Sequence, residues 1–192
     1  KLSDIRVTEA GEVEEKSAYV KCRGTYEAAK LSMEYQGKKT CKECATFFGG
    51  NKVCSSACLG LGDCVEACEY NAIHVIDGVA VVNKDNCVGC GACVKVCPKS
   101  VIEMGPKKRD VHVACSNTEK GGVARKQCTN ACIGCMKCEK ECPVGAIKVS
   151  NNLAYVDKNI CINCQKCVAV CPTGAILTYK KPVKKQPKTE ER

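Results

Sequence analysis

Apolar and polar positions alternate along this chain in short stretches. Ile73-His-Val-Ile76 and Val79-Ala-Val-Val82 flank Asp77-Gly78, and Asp-Gly between two apolar runs signals a tight type I′ hairpin. Asn151-Asn152 plays the same part between Ile147-Lys-Val149 and Leu153-Ala-Tyr155. Ala18-Tyr-Val-Lys-Cys22 reads as a strand, and His112-Val-Ala-Cys115 faintly echoes Tyr19-Val-Lys-Cys22. Thr25 to Tyr35 reads as a helix, with Ala28, Leu31 and Tyr35 on one face and Gly37 as its stop. No run approaches the 18 or more apolar residues of a membrane span. The polar start, Lys1 to Lys21, lacks the apolar region of a signal peptide. A chain beginning with Lys reads as a fragment or a processed form. The proline-broken, charged stretch from Lys180 to Arg192 is expected to be disordered.

Cysteine spacing changes this picture. The chain holds 21 cysteines in 192 residues, which signals either a disulfide scaffold or a metal protein. The odd number and the need for free thiolates favour metal in a reducing compartment. Cys132-x2-Cys135-x2-Cys138-x3-Cys142-Pro143 and Cys161-x2-Cys164-x2-Cys167-x3-Cys171-Pro172 each repeat the bacterial ferredoxin run. Three close thiolates of such a run hold one cubane cluster, and the fourth ligates the other cluster. One [4Fe–4S] is therefore expected on Cys132, Cys135, Cys138 and Cys171, and a second on Cys161, Cys164, Cys167 and Cys142. Zinc also takes four thiolates in paired C-x2-C, but it needs neither a third step nor the proline ending.

The pattern then repeats. Shifted by 74 residues, Cys41, Cys54, Cys58, Cys64 and Cys68 fall on Cys115, Cys128, Cys132, Cys138 and Cys142. Cys87, Cys90, Cys93 and Cys97 fall on Cys161, Cys164, Cys167 and Cys171, and Lys52 falls on Lys126. An isoleucine follows each run by five residues, at Ile73, Ile102, Ile147 and Ile176. The expected fold is α+β: tandem ferredoxin-like modules of two clusters each, with small β-hairpins and short helices. The expected layout is a strand–helix segment over 1–50, modules over 51–110 and 111–180, and a tail over 181–192. Aromatics are scarce, so bound clusters must supply much of the core and of the folding free energy.

The first run departs from the rule. It reads Cys54-x3-Cys58-x5-Cys64-x3-Cys68, with Leu61 where the second unit has Cys135 and Glu69 in place of the proline. The favoured reading takes Cys54 as the missing ligand, giving Cys54, Cys58, Cys64 and Cys97, because Leu59-Gly-Leu-Gly62 allows close approach. The alternative is a cluster with three cysteines, either a [3Fe–4S] or an unusually ligated cube. The neighbouring cluster takes Cys87, Cys90, Cys93 and Cys68, so four clusters are expected in all. Cys22, Cys41, Cys44, Cys115 and Cys128 remain. They read as buried free thiols in preference to a fifth cluster. His74 and His112 read as surface or packed residues, and Lys95, Lys99 and Lys166 as cluster-tuning or merely solvated charges.

Net charge is +9. Each oxidised cube with four thiolates is dianionic, so four cubes would cancel nearly all of it. The basicity is therefore counter-charge, and nucleic acid is not expected as a partner. A nucleic-acid surface would also call for stacking aromatics, which are scarce in this chain.

Tyr19-Val-Lys-Cys-Arg-Gly24, Tyr35-Gln-Gly37, Cys54-x3-Cys-Leu-Gly-Leu-Gly-Asp-Cys64 and Cys128-x3-Cys-Ile-Gly-Cys135 together resemble the B subunit of the Rnf complex in its longer, clostridial-type form. The resemblance covers nearly all of residues 1–180. It implies a wire that accepts electrons from soluble ferredoxin within an ion-translocating ferredoxin:NAD+ oxidoreductase, a translocase pumping Na+ or H+. It also implies other subunits as partners, including the one that handles NADH and flavin. Attachment at the cytoplasmic face of the cell membrane would come through that complex or through an N-terminal helix. The chemistry would be the cofactor's, with no catalytic residue in this chain. A four-cluster subunit of another oxidoreductase, such as a molybdopterin enzyme, is the alternative.

Overall fold

The computed structural model describes residues 14–47 and 49–179; the expected tail over 181–192 lies outside them. Among the described residues the strands form four antiparallel pairs. Strand β1 (Lys16–Val20) precedes helices α1 (Cys41–Thr46) and α2 (Asp63–Glu66), then β2 (Ile73–Ile76), β3 (Val79–Val82), α3 (Ala92–Val96) and β4 (Ile102–Pro106). The second half runs β5 (Val111–Val113), α4 (Gly121–Gln127), α5 (Lys137–Lys140), β6 (Ile147–Ser150), β7 (Leu153–Val156), α6 (Lys166–Val170) and β8 (Ile176–Thr178).

Both expected hairpins form. β2 pairs with β3 and β6 with β7, Ile73 facing Val82 and Ile147 facing Val156. Their turns need two consecutive positive φ angles, which Asp77 (48°) with Gly78 (75°) and Asn151 (48°) with Asn152 (61°) supply. All four marker isoleucines open a strand and are buried. Burial of each contributes about 1.5–3 kcal/mol.

The faint echo between Tyr19–Cys22 and His112–Cys115 proves to be a structural repeat. β1 closes the first module by pairing with β4, and β5 closes the second by pairing with β8. Tyr19 and His112 thus occupy matching strands and meet edge to face at 5.4 Å. The Tyr19 hydroxyl shares its single proton between the carbonyls of Arg109, at 2.7 Å, and Pro106. Lys84 lies 4.7 Å from the Tyr19 ring and 4.1 Å from that of Tyr179, which stacks on His112. Burial, with the nearby Arg109 and Lys84 charges, pulls His112 down to about 4.

The helix expected over Thr25–Tyr35 is absent. Only Ala29 N–H reaches back one turn, to Thr25. After that the segment bridges outward: Ala29 pairs with Cys128 and Leu31 with Lys52. Lys30 N–H donates to Gln127, and Thr129 N–H donates to Ala28. Helical propensity amounts to a few tenths of a kcal/mol per residue, and pairing between the two modules outweighs it. Ala28 and Ala29 are consequently buried in the core of the second module.

Candidate iron–sulfur centres

Four short helices, α2, α3, α5 and α6, each carry one buried cysteine: Cys64, Cys93, Cys138 and Cys167. Each becomes the inner wall of a cysteine group. Burial, then the proximity of Cys132, Cys135 and Cys171, pushes Cys138 up to about 11. Cys167 is raised to about 12 by burial and by Cys161, Cys164 and neighbouring Cys138. Cys142, the fourth cysteine expected beside Cys167, receives Ala146 N–H on its Sγ at 3.2 Å. Cys93 is raised by burial and by Cys87, Cys90 and then Cys68. Ala72 N–H donates to Cys68 Sγ at 3.4 Å, as Ala146 does to Cys142. The expected partners therefore stand together around Cys138 and around Cys93, while Cys161 and Cys164 stand beside Cys167.

The first group differs from expectation. Burial, then Cys58, Cys41 and Cys97, pushes Cys64 up to about 12. It is Cys41, at the first turn of α1, that stands beside Cys64 and Cys58, with Leu61 packed against the same cluster. The reason is local. Cys41 N–H and Lys42 N–H donate to the two carboxylate oxygens of Asp63, at 2.6 and 3.0 Å, and Thr40 caps the helix through Glu43 N–H. Asp63 therefore docks the start of α1 beside Cys64. The glycine-rich loop does permit close approach, but of a different partner. Gly60 lies against the hairpin tip, where a Cβ would run into the Gly78 carbonyl.

Cys54 instead faces a small cavity between the modules, together with Cys22, Cys115 and Cys128. Cys22 Sγ accepts from Cys58 N–H at 3.3 Å, and Cys115 Sγ accepts from Cys132 N–H at 3.3 Å. The structural counterpart of Cys115 is thus Cys22. The ungapped register that sets Cys41 against Cys115 misaligns the two halves there. Cys115 is pushed up to about 11, chiefly by burial. Cys44 packs in a separate cluster with Cys41 and Leu59.

Lys52 is a buried cation that sequence reasoning passed over, although it surfaced as a repeat identity. It is 5% exposed, and its Nζ donates to Gly24 O at 2.7 Å and Gly78 O at 2.8 Å. Burial pulls it below the usual lysine range, while Cys22, Cys58, Cys128 and Cys54 pull it back. Its repeat mate Lys126 is exposed. Of the lysines singled out from sequence, Lys99 Nζ donates to Gly49 O at 2.9 Å.

The donor chemistry fits clusters of iron and sulfide. Among the described residues no three Cys, His, Asp or Glu side chains close on a single ion. A zinc ion would need four thiolates at about 2.3 Å from one point, whereas a cube holds its thiolates apart. Buried thiols that resist ionisation one by one also suit a group whose iron charge stabilises the thiolates.

A 4Fe-4S dicluster domain model matches residues 86–146 and 131–175, and a second such model matches 51–104. Neither covers Cys22 or Cys41. The chain is 42% identical over 157 residues to the B subunit of the Na(+)-translocating ferredoxin:NAD(+) oxidoreductase complex of Acetobacterium woodii, covering 81% of this chain and 47% of that one. It is 46% identical over 148 residues to the proton-translocating counterpart of Clostridium ljungdahlii, covering 77% and 52%. It is 41% identical over 151 residues to the B subunit of the ion-translocating oxidoreductase complex of Methanosarcina acetivorans, covering 78% and 57%. The chain spans about half the length of these curated relatives. No helix among the described residues is long and apolar enough to cross a membrane. With tandem dicluster modules and this level of identity, the chain belongs to the 4Fe–4S dicluster proteins, in the branch represented by the B subunits of ion-translocating ferredoxin:NAD(+) oxidoreductase complexes.

Proposed function

We propose that this chain relays electrons from reduced ferredoxin to partner subunits of a membrane-bound ferredoxin:NAD+ oxidoreductase that pumps Na+ or H+. The dicluster modules would hold four [4Fe–4S] clusters. Their ligand sets are Cys41/Cys58/Cys64/Cys97, Cys68/Cys87/Cys90/Cys93, Cys132/Cys135/Cys138/Cys171 and Cys142/Cys161/Cys164/Cys167. The cubes, when bound, supply the one-electron chemistry.

The observation that carries this reading is the pairing of Cys64 with Cys97, and of Cys138 with Cys171. In each module the last cysteine of one run crosses to the other run's group, as two-cluster ferredoxins require. The chain's own contribution is electrostatic. Backbone N–H groups of Ala18 and Ala80 donate to Cys87 and Cys58 Sγ, each at 3.5 Å. Such donors favour the more negative, reduced state and so raise the potential. Cys90, Cys135 and Cys164 are exposed, which gives an electron donor or acceptor close access to three groups. The partners named here, and a location at the cytoplasmic face of the membrane, follow from the relatives' names and the resemblance.

Anaerobic reconstitution followed by stopped-flow mixing with reduced ferredoxin tests the reading. Visible bleaching of the clusters is expected, with no NADH formed by the chain alone. Bound zinc without sulfide, or clusters that reduced ferredoxin leaves oxidised, would defeat it.

A further inference from the structure

We propose that Cys22, Cys54, Cys115 and Cys128 hold a fifth [4Fe–4S] cluster, and that this cluster is the electron bridge between the two modules. The proposal rests on the relay reading but adds a site that neither dicluster module contains.

The four cysteines are arranged symmetrically, two from each half. Cys22 and Cys115 follow the matching strands β1 and β5, and Cys54 and Cys128 stand four residues before Cys58 and Cys132. The strand bridge between Ala29 and Cys128 locks the two halves together at this point. Asn130 Nδ2 donates to Arg23 O at 3.0 Å, and Ser116 Oγ donates to Lys21 O at 3.0 Å, both across the same seam.

The space between them also fits. The cavity measures about 20 Å³. The cavities lined by Cys68/Cys87/Cys90/Cys93 and by Cys132/Cys135/Cys138/Cys171 are the same size, about 20 Å³ each. Alanines (Ala29, Ala57, Ala114 and Ala131) complete much of the wall. The seam therefore offers as much space as those two sites.

Charge points the same way. Sulfur of a neutral thiol is a weak acceptor, yet these sulfurs are surrounded by donors. Cys22 Sγ receives Gly24 N–H at 3.4 Å as well as Cys58 N–H, and Cys54 Sγ receives Asn117 Nδ2 at 3.3 Å. Beside them lies the ammonium of Lys52, buried without a carboxylate partner among the contacts that hold it. A buried cation needs nearby negative charge, and a cube with four thiolates provides it. Four packed free thiols would not.

The same hydrogen bonds define a path. Cys58, a ligand of the first module, donates its N–H to Cys22; Cys132, a ligand of the second, donates its N–H to Cys115. The bridge is thus one hydrogen bond from a ligand in each module. The order along the chain of centres becomes Cys68/Cys87/Cys90/Cys93, Cys41/Cys58/Cys64/Cys97, the bridge, Cys132/Cys135/Cys138/Cys171 and Cys142/Cys161/Cys164/Cys167. At each step one electron leaves a reduced cube and one oxidised cube gains it, with no bond broken and no proton moved.

Native mass spectrometry, with iron and acid-labile sulfide assays, on the anaerobically reconstituted full chain tests the site. About twenty iron and twenty sulfide are expected for five cubes. The Cys115→Ala/Cys128→Ala double variant should hold about sixteen, while Cys44→Ser should match the wild type. A wild type holding about sixteen overturns this inference and leaves the relay reading standing; a wild type with no sulfide removes both. If the double variant does not fold, the wild-type count alone decides. If it folds and keeps the wild-type iron content, the site is refuted. For the bridge, bleaching by limiting reduced ferredoxin should split into a fast and a slow phase in the double variant. A single phase there, as fast as in the wild type, would overturn it.

Discussion

In the second module, one regular loop supplies Cys132, Cys135 and Cys138, and Cys135 is exposed. In the first module Leu61 occupies the place of Cys135, and the thiol proposed in its stead is Cys41, which is buried at the start of α1. The longer excursion that brings it also covers the loop, with Leu59 buried beside Cys41 and Cys44. Solvent exposure and nearby charge set cluster potentials. The two modules thus share a backbone plan while setting the start of a helix beside Cys64 and a loop beside Cys138. A duplicated fold can be differentiated by changing where a single ligand comes from.

The largest effect that would break this comparison is loss of the substitute ligand. Cys41→Ser should convert the first group to a three-iron cluster or empty it, seen as a new oxidised-state EPR signal or as missing iron. The neighbouring Cys44→Ser should change neither. Asp63→Ala should act in the same direction more weakly, because it removes two charge-assisted hydrogen bonds, each worth about 1.5–3 kcal/mol. Faster hydrogen exchange at the Cys41 and Lys42 amides would register it. The residue at the matching place in the second module, Lys137, can be changed to Ala without loss of iron. A first group unaffected by Cys41→Ser would refute the assignment.

Next in size is the contrast between Tyr19 and His112 on matching strands. An unfolded histidine takes its proton near 6.5, whereas folded His112 does so only near 4. Between these values the unfolded chain binds more protons, so stability falls as pH is lowered through that window. The full effect amounts to roughly 3 kcal/mol. Tyr19, raised to about 12 chiefly by burial, stays neutral throughout. Thermal unfolding between pH 7 and 5 should show a steeper loss in wild type than in His112→Phe. Equal slopes would contradict the role given to burial.

The smallest effect concerns Lys52 and Lys126. Removing a buried positive charge disfavours the reduced state of nearby centres, so Lys52→Met should move one or two potentials to more negative values. Lys126→Met, at the exposed repeat position, should move none. EPR-monitored redox titration distinguishes the two.

Much of this was legible in the chain itself. The ferredoxin runs carry the grouping of neighbouring cysteines in their spacing, and Asp77-Gly78 and Asn151-Asn152 carry their turns. The matching strands were visible only as the echo between Tyr19–Cys22 and His112–Cys115. What spacing could not reveal is the gathering of cysteines across long, unequal separations. Cys22, Cys54, Cys115 and Cys128 follow no local rule, and Cys41 is brought in by backbone hydrogen bonds to Asp63 that leave no periodic trace. The segment Thr25–Tyr35 misled for a related reason. Its apolar spacing fits a helix, but its backbone is used to tie one module to the other.

That tie bears on how the molecule is made. A nascent chain that has emerged only as far as Pro106 already contains every cysteine of the first module's two groups. It has just half of the thiols at the seam, since Cys115 and Cys128 are still to be translated. The first module can therefore be loaded with metal early, whereas the seam can close only after the second half has arrived and docked. Closure of the seam is in this sense the last step of assembly, because it needs thiols from both halves.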